Sequence, residues 1–255
     1  MRRDKRSPLK DRPLRNPGQS VDNQLMGVLL DKFLFPGLVA VMVVALAAHE
    51  WWRHLFPQPP TPWFSSVLAA LIVIWAGWRI YRSWPEVTQL RLARNGEMVV
   101  GQYLERLRER GYQVFHDVLG SGFNVDHVLI GPAGIFTIET KTFSKRSSEA
   151  RVYFDGEKIL VDGIAPDRDP VVQCRAQCGW LRSLLEESTG RKLPVRGVIL
   201  FPGWYVENPK GAQRETWVLE PKALPSFLEQ EGEKLKPEDV KLASFHLSRF
   251  VRTVP

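Results

Sequence analysis

Residues 124–141, NVDHVLIGPAGIFTIETK, admit few folds. Val125 to Ile130 and Ile135 to Ile138 are β-branched and apolar, and Gly131-Pro132-Ala133-Gly134 between them is turn chemistry. Proline presets φ there and glycine supplies positive φ, so the stretch predicts two strands around a tight turn. Strands of this composition belong in a core. Yet Asp126 stands at the entry of the pair, and Glu139 and Lys141 stand at its exit.

Side chains two apart on a strand share a face, so Glu139 and Lys141 emerge together while Ile138 and Thr140 face the other way. The turn folds Asp126 back toward the far end of the second strand. Two carboxylates and one ammonium then share a small volume. Charges at the end of an apolar strand are costly unless paired or bound to metal. Carboxylate oxygens suit Mg²⁺, which takes one or two of them and keeps waters for a phosphate substrate.

The ordered set around these residues resembles a known family. Asn95-Gly96-Glu97 comes first, then Val125-Asp126-His127, then the Gly131 to Lys141 run ending Glu139-Thr140-Lys141, then Asp169-Pro170 and Gln173. This resembles the nuclease-related domain (NERD), a branch of the PD-(D/E)XK nuclease superfamily. The resemblance implies a restriction-endonuclease-like α/β fold, a mixed β-sheet flanked by helices. It implies catalytic roles for Asp126, Glu139, Lys141, Gln173 and Glu97. It also implies a Mg²⁺ or Mn²⁺ held by Asp126, Glu139 and the Thr140 backbone carbonyl, with Glu97 acting indirectly. The implied reaction is hydrolysis of phosphodiester bonds in DNA or RNA. The alternative is a catalytically silent nucleic-acid-binding or protein-interaction module.

Two apolar runs precede this region. Residues 33–52 read FLFPGLVAVMVVALAAHEWW and residues 63–81 read WFSSVLAALIVIWAGWRIY. Spanning a bilayer takes about 20 helical residues. Trp51, Trp52, Trp63, Trp78 and Trp84 mark the run ends, as interfacial aromatics do. The short, proline-rich connector between the runs suits a hairpin loop. Soluble core helices keep a polar stripe, which these lack.

Three segments follow: a basic disordered tail over 1–30, a two-helix transmembrane hairpin over 31–84, and the nuclease-like domain over 86–255 with its core at 95–201. The net charge is +7, and residues 1–85 hold 11 Lys+Arg against 5 Asp+Glu. Residues 86–255 hold 24 against 23, so the domain itself is nearly neutral and lacks the broad field of a strong duplex binder. The positive-inside rule places both termini in the cytoplasm of a multi-pass protein of the cell inner membrane. The resemblance implies nucleic acid as a partner, and the two apolar runs imply the lipid bilayer.

The remaining readings are local. Residues 90–110 have helical periodicity and stop at Gly111. A first strand spans 112–118, and His116 and His127 read as structural. Cys174 and Cys178 fit a reducing compartment without a disulfide. The polar loop 142–151, with Lys145, Arg146 and Arg151, reads either as a contact for a phosphate backbone or as a solvated loop. Residues 152–161 predict a hairpin around Asp155-Gly156. A helix follows from Asp169-Pro170 to about Glu187. A central strand at 195–201, a short strand at 217–219 and helices at 225–230 and 237–250 complete the domain.

Overall fold

In this computed structural model the described residues are 16–56, 62–120, 122–145, 149–209 and 211–253. The first half of the predicted basic tail, the middle of the connector between the apolar runs, and Arg146 lie outside them. The chain divides into two units, residues 20–92 and residues 93–253 together with 16–19.

The first unit is helical. Helix α1 (Gln19–Leu29) passes through a π-turn (Leu30–Leu34) into α2 (Phe35–Leu55). The helix therefore starts inside the stretch predicted to be a disordered tail, since nothing between Gln19 and Leu30 breaks it. The π-turn lies where Pro36, at the start of α2, can donate no hydrogen bond to the preceding turn.

The second apolar run is not a separate helix. It opens α3 (Pro62–Glu105), which continues through Pro85 for 44 residues. The predicted break near residue 86 is absent, and the compact boundary falls at 92/93 instead. Helices α2 and α3 pair as a hairpin. Trp51 Nε1 donates to Ser66 Oγ at 2.8 Å, and Trp51 packs edge-on to Trp63. At the other end Phe33 meets Trp84, and Lys32 pairs with Glu86. Between them Val43, Ala47 and Ala69 form a small buried cluster.

Leu38, Val41, Met42, Leu46, Leu71 and Ile74 are exposed. Such an apolar surface is a membrane or partner surface, not a soluble core. Among the described residues one helix is long and apolar enough to cross a membrane, Gln19–Leu55.

The second unit is mixed α/β. A 3₁₀ turn (Arg106–Arg110) ends α3 and closes on Gly111, whose φ of +83° is the left-handed cap conformation that glycine adopts without strain. Strands β1 (Gln113–Leu119), β2 (Asn124–Gly131) and β3 (Gly134–Thr140) form an antiparallel meander. Next come β4 (Arg151–Phe154), β5 (Ile159–Val161), α4 (Pro170–Thr189), β6 (Val195–Leu200), β7 (Tyr205–Glu207) and β8 (Thr216–Leu219). Helices α5 (Leu224–Glu231) and α6 (Pro237–Thr253) close the chain.

The main sheet has the order β1-β2-β3-β6-β8, with β3, β6 and β8 parallel. The middle strand is thus β3, and the predicted central strand β6 lies one place further out. Its run of apolar residues reflects cover on both faces. Val171, Cys174, Leu181 and Leu185 of α4 and Ala243 and Leu247 of α6 cover one face. Val100 and Leu104 of α3 and Leu224 and Leu228 of α5 cover the other. A second sheet, β5-β4-β7, sits beside it; β7 was not foreseen.

Candidate active site

The meander's register sets the geometry. His127 pairs with Ile138, so Asp126 falls opposite Glu139 one step beyond the last ladder pair. The Asp126 Oδ2 accepts from the Thr140 backbone N–H at 2.6 Å, which ties the carboxylate to the end of β3. Glu139 is 3% exposed, and its partners come from α4 and the strand exit. Its Oε1 accepts from Lys141 Nζ at 2.7 Å and from Gln173 Nε2 at 2.7 Å. Its Oε2 accepts from Gln177 Nε2 at 2.6 Å. Gln173 Oε1 in turn accepts from Lys141 Nζ at 3.0 Å.

Helix α4 delivers both glutamines because its start is fixed. The Asp169 side chain accepts from Val171 N at 2.8 Å, an N-cap worth about 1 kcal/mol, and Pro170 occupies the first turn. Gln173 and Gln177 are four apart, so one helix face carries both. Gln177 was not singled out in the sequence, although this spacing from Gln173 marks it. Its Nε2 also donates to the Asn124 carbonyl at 3.0 Å, which fixes the amide orientation. The Gln177 Oε1 is then buried without a hydrogen-bond partner.

Glu97 reaches the same region from α3 and is 8% exposed, not on a solvated helix face. Gly96 makes this possible. A Cβ there would lie 2.0 Å from Thr142 Oγ1, so only glycine lets the helix approach the loop leaving β3. Burial first, then the Asp117 and Glu139 charges, push the Glu97 carboxyl up to about 7 against a partial offset from Lys141. Burial, then Glu139 and Glu97, hold the Asp126 carboxyl well above the ordinary carboxylate range. This is the signature of acids gathered without enough positive charge.

Asp117, buried and at φ +50° inside β1, is a further acid that the sequence reading missed. Aspartate tolerates this conformation better than most residues, but nothing in a strand-like sequence signals it. It sits between the ladder pairs His116↔His127 and Val118↔Val125.

The two histidines are buried and contact each other. Their Nδ1 atoms lie 2.9 Å apart, and His116 Nε2 meets Glu105 Oε1 at 2.8 Å. The cysteines are free and buried, with Cys178 Sγ 2.9 Å from Thr137 Oγ1. In the loop 142–151, Lys145 lies over the Trp204 ring at 5.4 Å and Arg151 pairs with Glu207 at 3.0 Å. Both cations are therefore already partnered. Among the described residues no three His, Cys, Asp or Glu side chains are placed to hold a metal ion by themselves.

The segment that builds this cluster is recognisable. Residues 92–202 match the family model of the nuclease-related domain (NERD). Among curated proteins and solved structures, nothing matches the chain. The NERD match opens just before Asn95 and ends just after Phe201. It therefore takes in the end of α3, the meander, α4 and β6, the elements that position Glu97, Asp126, Glu139, Lys141, Gln173 and Gln177. Strand β8, which extends the sheet, and helices α5 and α6, which cover it, lie outside the match.

Proposed function

We propose that the unit formed mainly by residues 93–253 is a divalent-metal-dependent nuclease. It hydrolyses phosphodiester bonds of DNA or RNA and is held at a membrane by the apolar helical hairpin. The NERD match carries a nuclease-related function with it. The observation that supports catalysis is Glu139, gripped by Lys141, Gln173 and Gln177 beside Asp126 at the end of an apolar strand.

Asp126, Glu139 and the Thr140 backbone carbonyl would hold Mg²⁺ or Mn²⁺. The donor set fits, because Mg²⁺ needs only one or two carboxylates beside water and substrate phosphate. The raised Asp126 and Glu97 carboxyls and the unpartnered Gln177 Oε1 are what a cation with its waters would satisfy. When bound, such a metal polarises a phosphoryl oxygen and lowers the pKa of its water. Lys141 Nζ, steered by Glu139 and Gln173, positions the attacking water and stabilises negative charge developing on the phosphate. Glu97 acts from behind, keeping the acid cluster in demand of positive charge.

The membrane reading extends to two spans, α2 and the start of α3, with both termini in the cytoplasm. Arg79 near the end of the second run and Arg82, Arg91 and Arg94 after it support that orientation.

A second reading has its own support. The Lys141–Glu139 pair closes on itself at 2.7 Å, and residues 86–255 are nearly neutral. Both suit a silent binding module. One experiment separates the two. Full-length protein in detergent is titrated with Mg²⁺ and Mn²⁺ by calorimetry, and cleavage of single-stranded and duplex DNA and RNA is scored on the same samples. Asp126→Ala and Lys141→Ala are expected to abolish cleavage with the fold intact. Full cleavage in either variant, or no metal binding by the wild type, sinks the nuclease reading.

A further inference from the structure

The opposite end of the main sheet holds a second site of different chemistry. A cavity of about 430 Å³ opens where β3, β6 and β8 begin, within the size range of small-molecule sites. Ile135, Val195 and Thr216 mark that end. Four residues separate Ile135 from Glu139, roughly 13 Å along the strand. The cavity is therefore distinct from the acid cluster.

Its rim is cationic. Arg175 and Arg182 come from α4, Arg196 from β6, Arg214 from the segment before β8, and Lys234 from the link between α5 and α6. Two acids, Glu215 and Glu231, answer these five cations. Arg175 pairs with Glu215 at 3.3 Å, while Arg196 and Lys234 share Glu231. Among the described residues neither Arg182 nor Arg214 has a carboxylate within ion-pair reach, and Arg182 finds only the Val195 carbonyl at 3.4 Å. The rim thus carries three positive charges in excess, although residues 86–255 together carry an excess of one. Arg196 is held in place, its guanidinium 4.9 Å from the Trp217 ring centroid. Beneath the cations the wall is apolar, with Ala133, Phe136 and Pro194.

Unpaired guanidinium groups around a concave site select phosphate, which they can grip through two parallel hydrogen bonds. The apolar wall below suits the uncharged body of the same ligand. We propose that this cavity binds a small ligand carrying two or more phosphates on an apolar body, of which a nucleoside diphosphate is the representative. The site is separate from the acid cluster and independent of whether that cluster cleaves nucleic acid.

The test uses the full-length chain in detergent, with EDTA present so that no divalent cation bridges phosphate to Glu139. ADP, pyrophosphate and a thymidylate oligonucleotide are titrated by calorimetry. ADP is expected to bind saturably, at least tenfold more tightly than pyrophosphate, and equally well to Lys141→Ala. The double variant Arg182→Gln/Arg214→Gln is expected to weaken ADP at least tenfold. Both side chains are exposed, and circular dichroism checks that the variant folds. Should it fold poorly, Arg214→Gln alone must still weaken ADP at least threefold. Four outcomes overturn the proposal: no saturable ADP binding, equal affinity for pyrophosphate and ADP, ADP binding undiminished in the folded arginine variants or lost in Lys141→Ala, or binding of the oligonucleotide alone.

Discussion

Replacing Glu97 with glutamine should stabilise the fold in alkaline solution and leave it unchanged in acid. The Glu97 carboxyl is raised from 4.5 to about 7 in the folded chain. Between those values the folded state binds a proton that the unfolded state has released, so stability falls as pH rises through the window. Above it the penalty is constant. A shift of that size corresponds to about 3 kcal/mol at 1.36 kcal/mol per unit. Glutamine is close to isosteric and has no such penalty. Its advantage should be near zero at pH 4, grow between 4.5 and 7, and level off near 3 kcal/mol at pH 8. Asp126 contributes a slope of the same sign; burial and Glu139, its larger causes, are present in both proteins, and loss of the Glu97 charge lowers its carboxyl and adds to the alkaline gain. Denaturant midpoints read from deuterium uptake of β2 and β3 peptides, in full-length protein at several pH values, measure it locally. A variant whose stability difference is flat with pH, or that is less stable at pH 8, refutes the claim that Glu97 sits buried among uncompensated acids.

Gln177→Leu leaves the Asn124 carbonyl and one Glu139 oxygen without their donor; it should cost about 1–3 kcal/mol and lower any cleavage, read by melting and by nuclease assay. Gly96→Ala drives a methyl into Thr142 Oγ1 and should cost about 1–3 kcal/mol while displacing Glu97, so the pH-dependent gain of Glu97→Gln should shrink in that background. Asp169→Ala removes the α4 cap and should cost about 1 kcal/mol, with Gln173 and Gln177 loosened together. Val44→Arg places a charge in α2 at a cost of about 2.5–3.5 kcal/mol within a bilayer, and should shift the protein out of the membrane fraction.

What could be read in the sequence was local. The β2–β3 hairpin, the Asp169 cap and the Gly111 stop each rest on a few neighbouring residues, and the structure has all of them. Asp126, Glu139 and Lys141 were legible because period-2 alternation fixes where they emerge, whereas Gln173 and Glu97 were named through the family resemblance. Gln177 was overlooked because an amide inside a helix is ordinarily solvated; only the position of Glu139 across the sheet makes it matter. Asp117 needed a left-handed residue within a strand, which no pattern of apolar residues encodes. Strand β7 is three residues long and exists by pairing with β4, a contact that no window around it contains. Pro85 lies inside α3 and does not end it. Helix continuation there is decided by the turns on either side, not by the residue itself.

Glu139 lies on the middle strand, yet the two amides that grip it come 34 and 38 residues later. A chain made from its N-terminus outward therefore carries every acid of the cluster before either glutamine exists. At ordinary synthesis rates that interval lasts on the order of seconds. During it β3 also lacks its parallel neighbour β6, whose pairing must wait for the crossover through α4. The nascent meander thus holds a row of repelling acids beside an open strand edge, a state that favours unfolding or capture by another chain. Docking of α4 supplies the two amides, and the β6 pairing that follows it closes the edge of β3, so the acid cluster is completed before the sheet is.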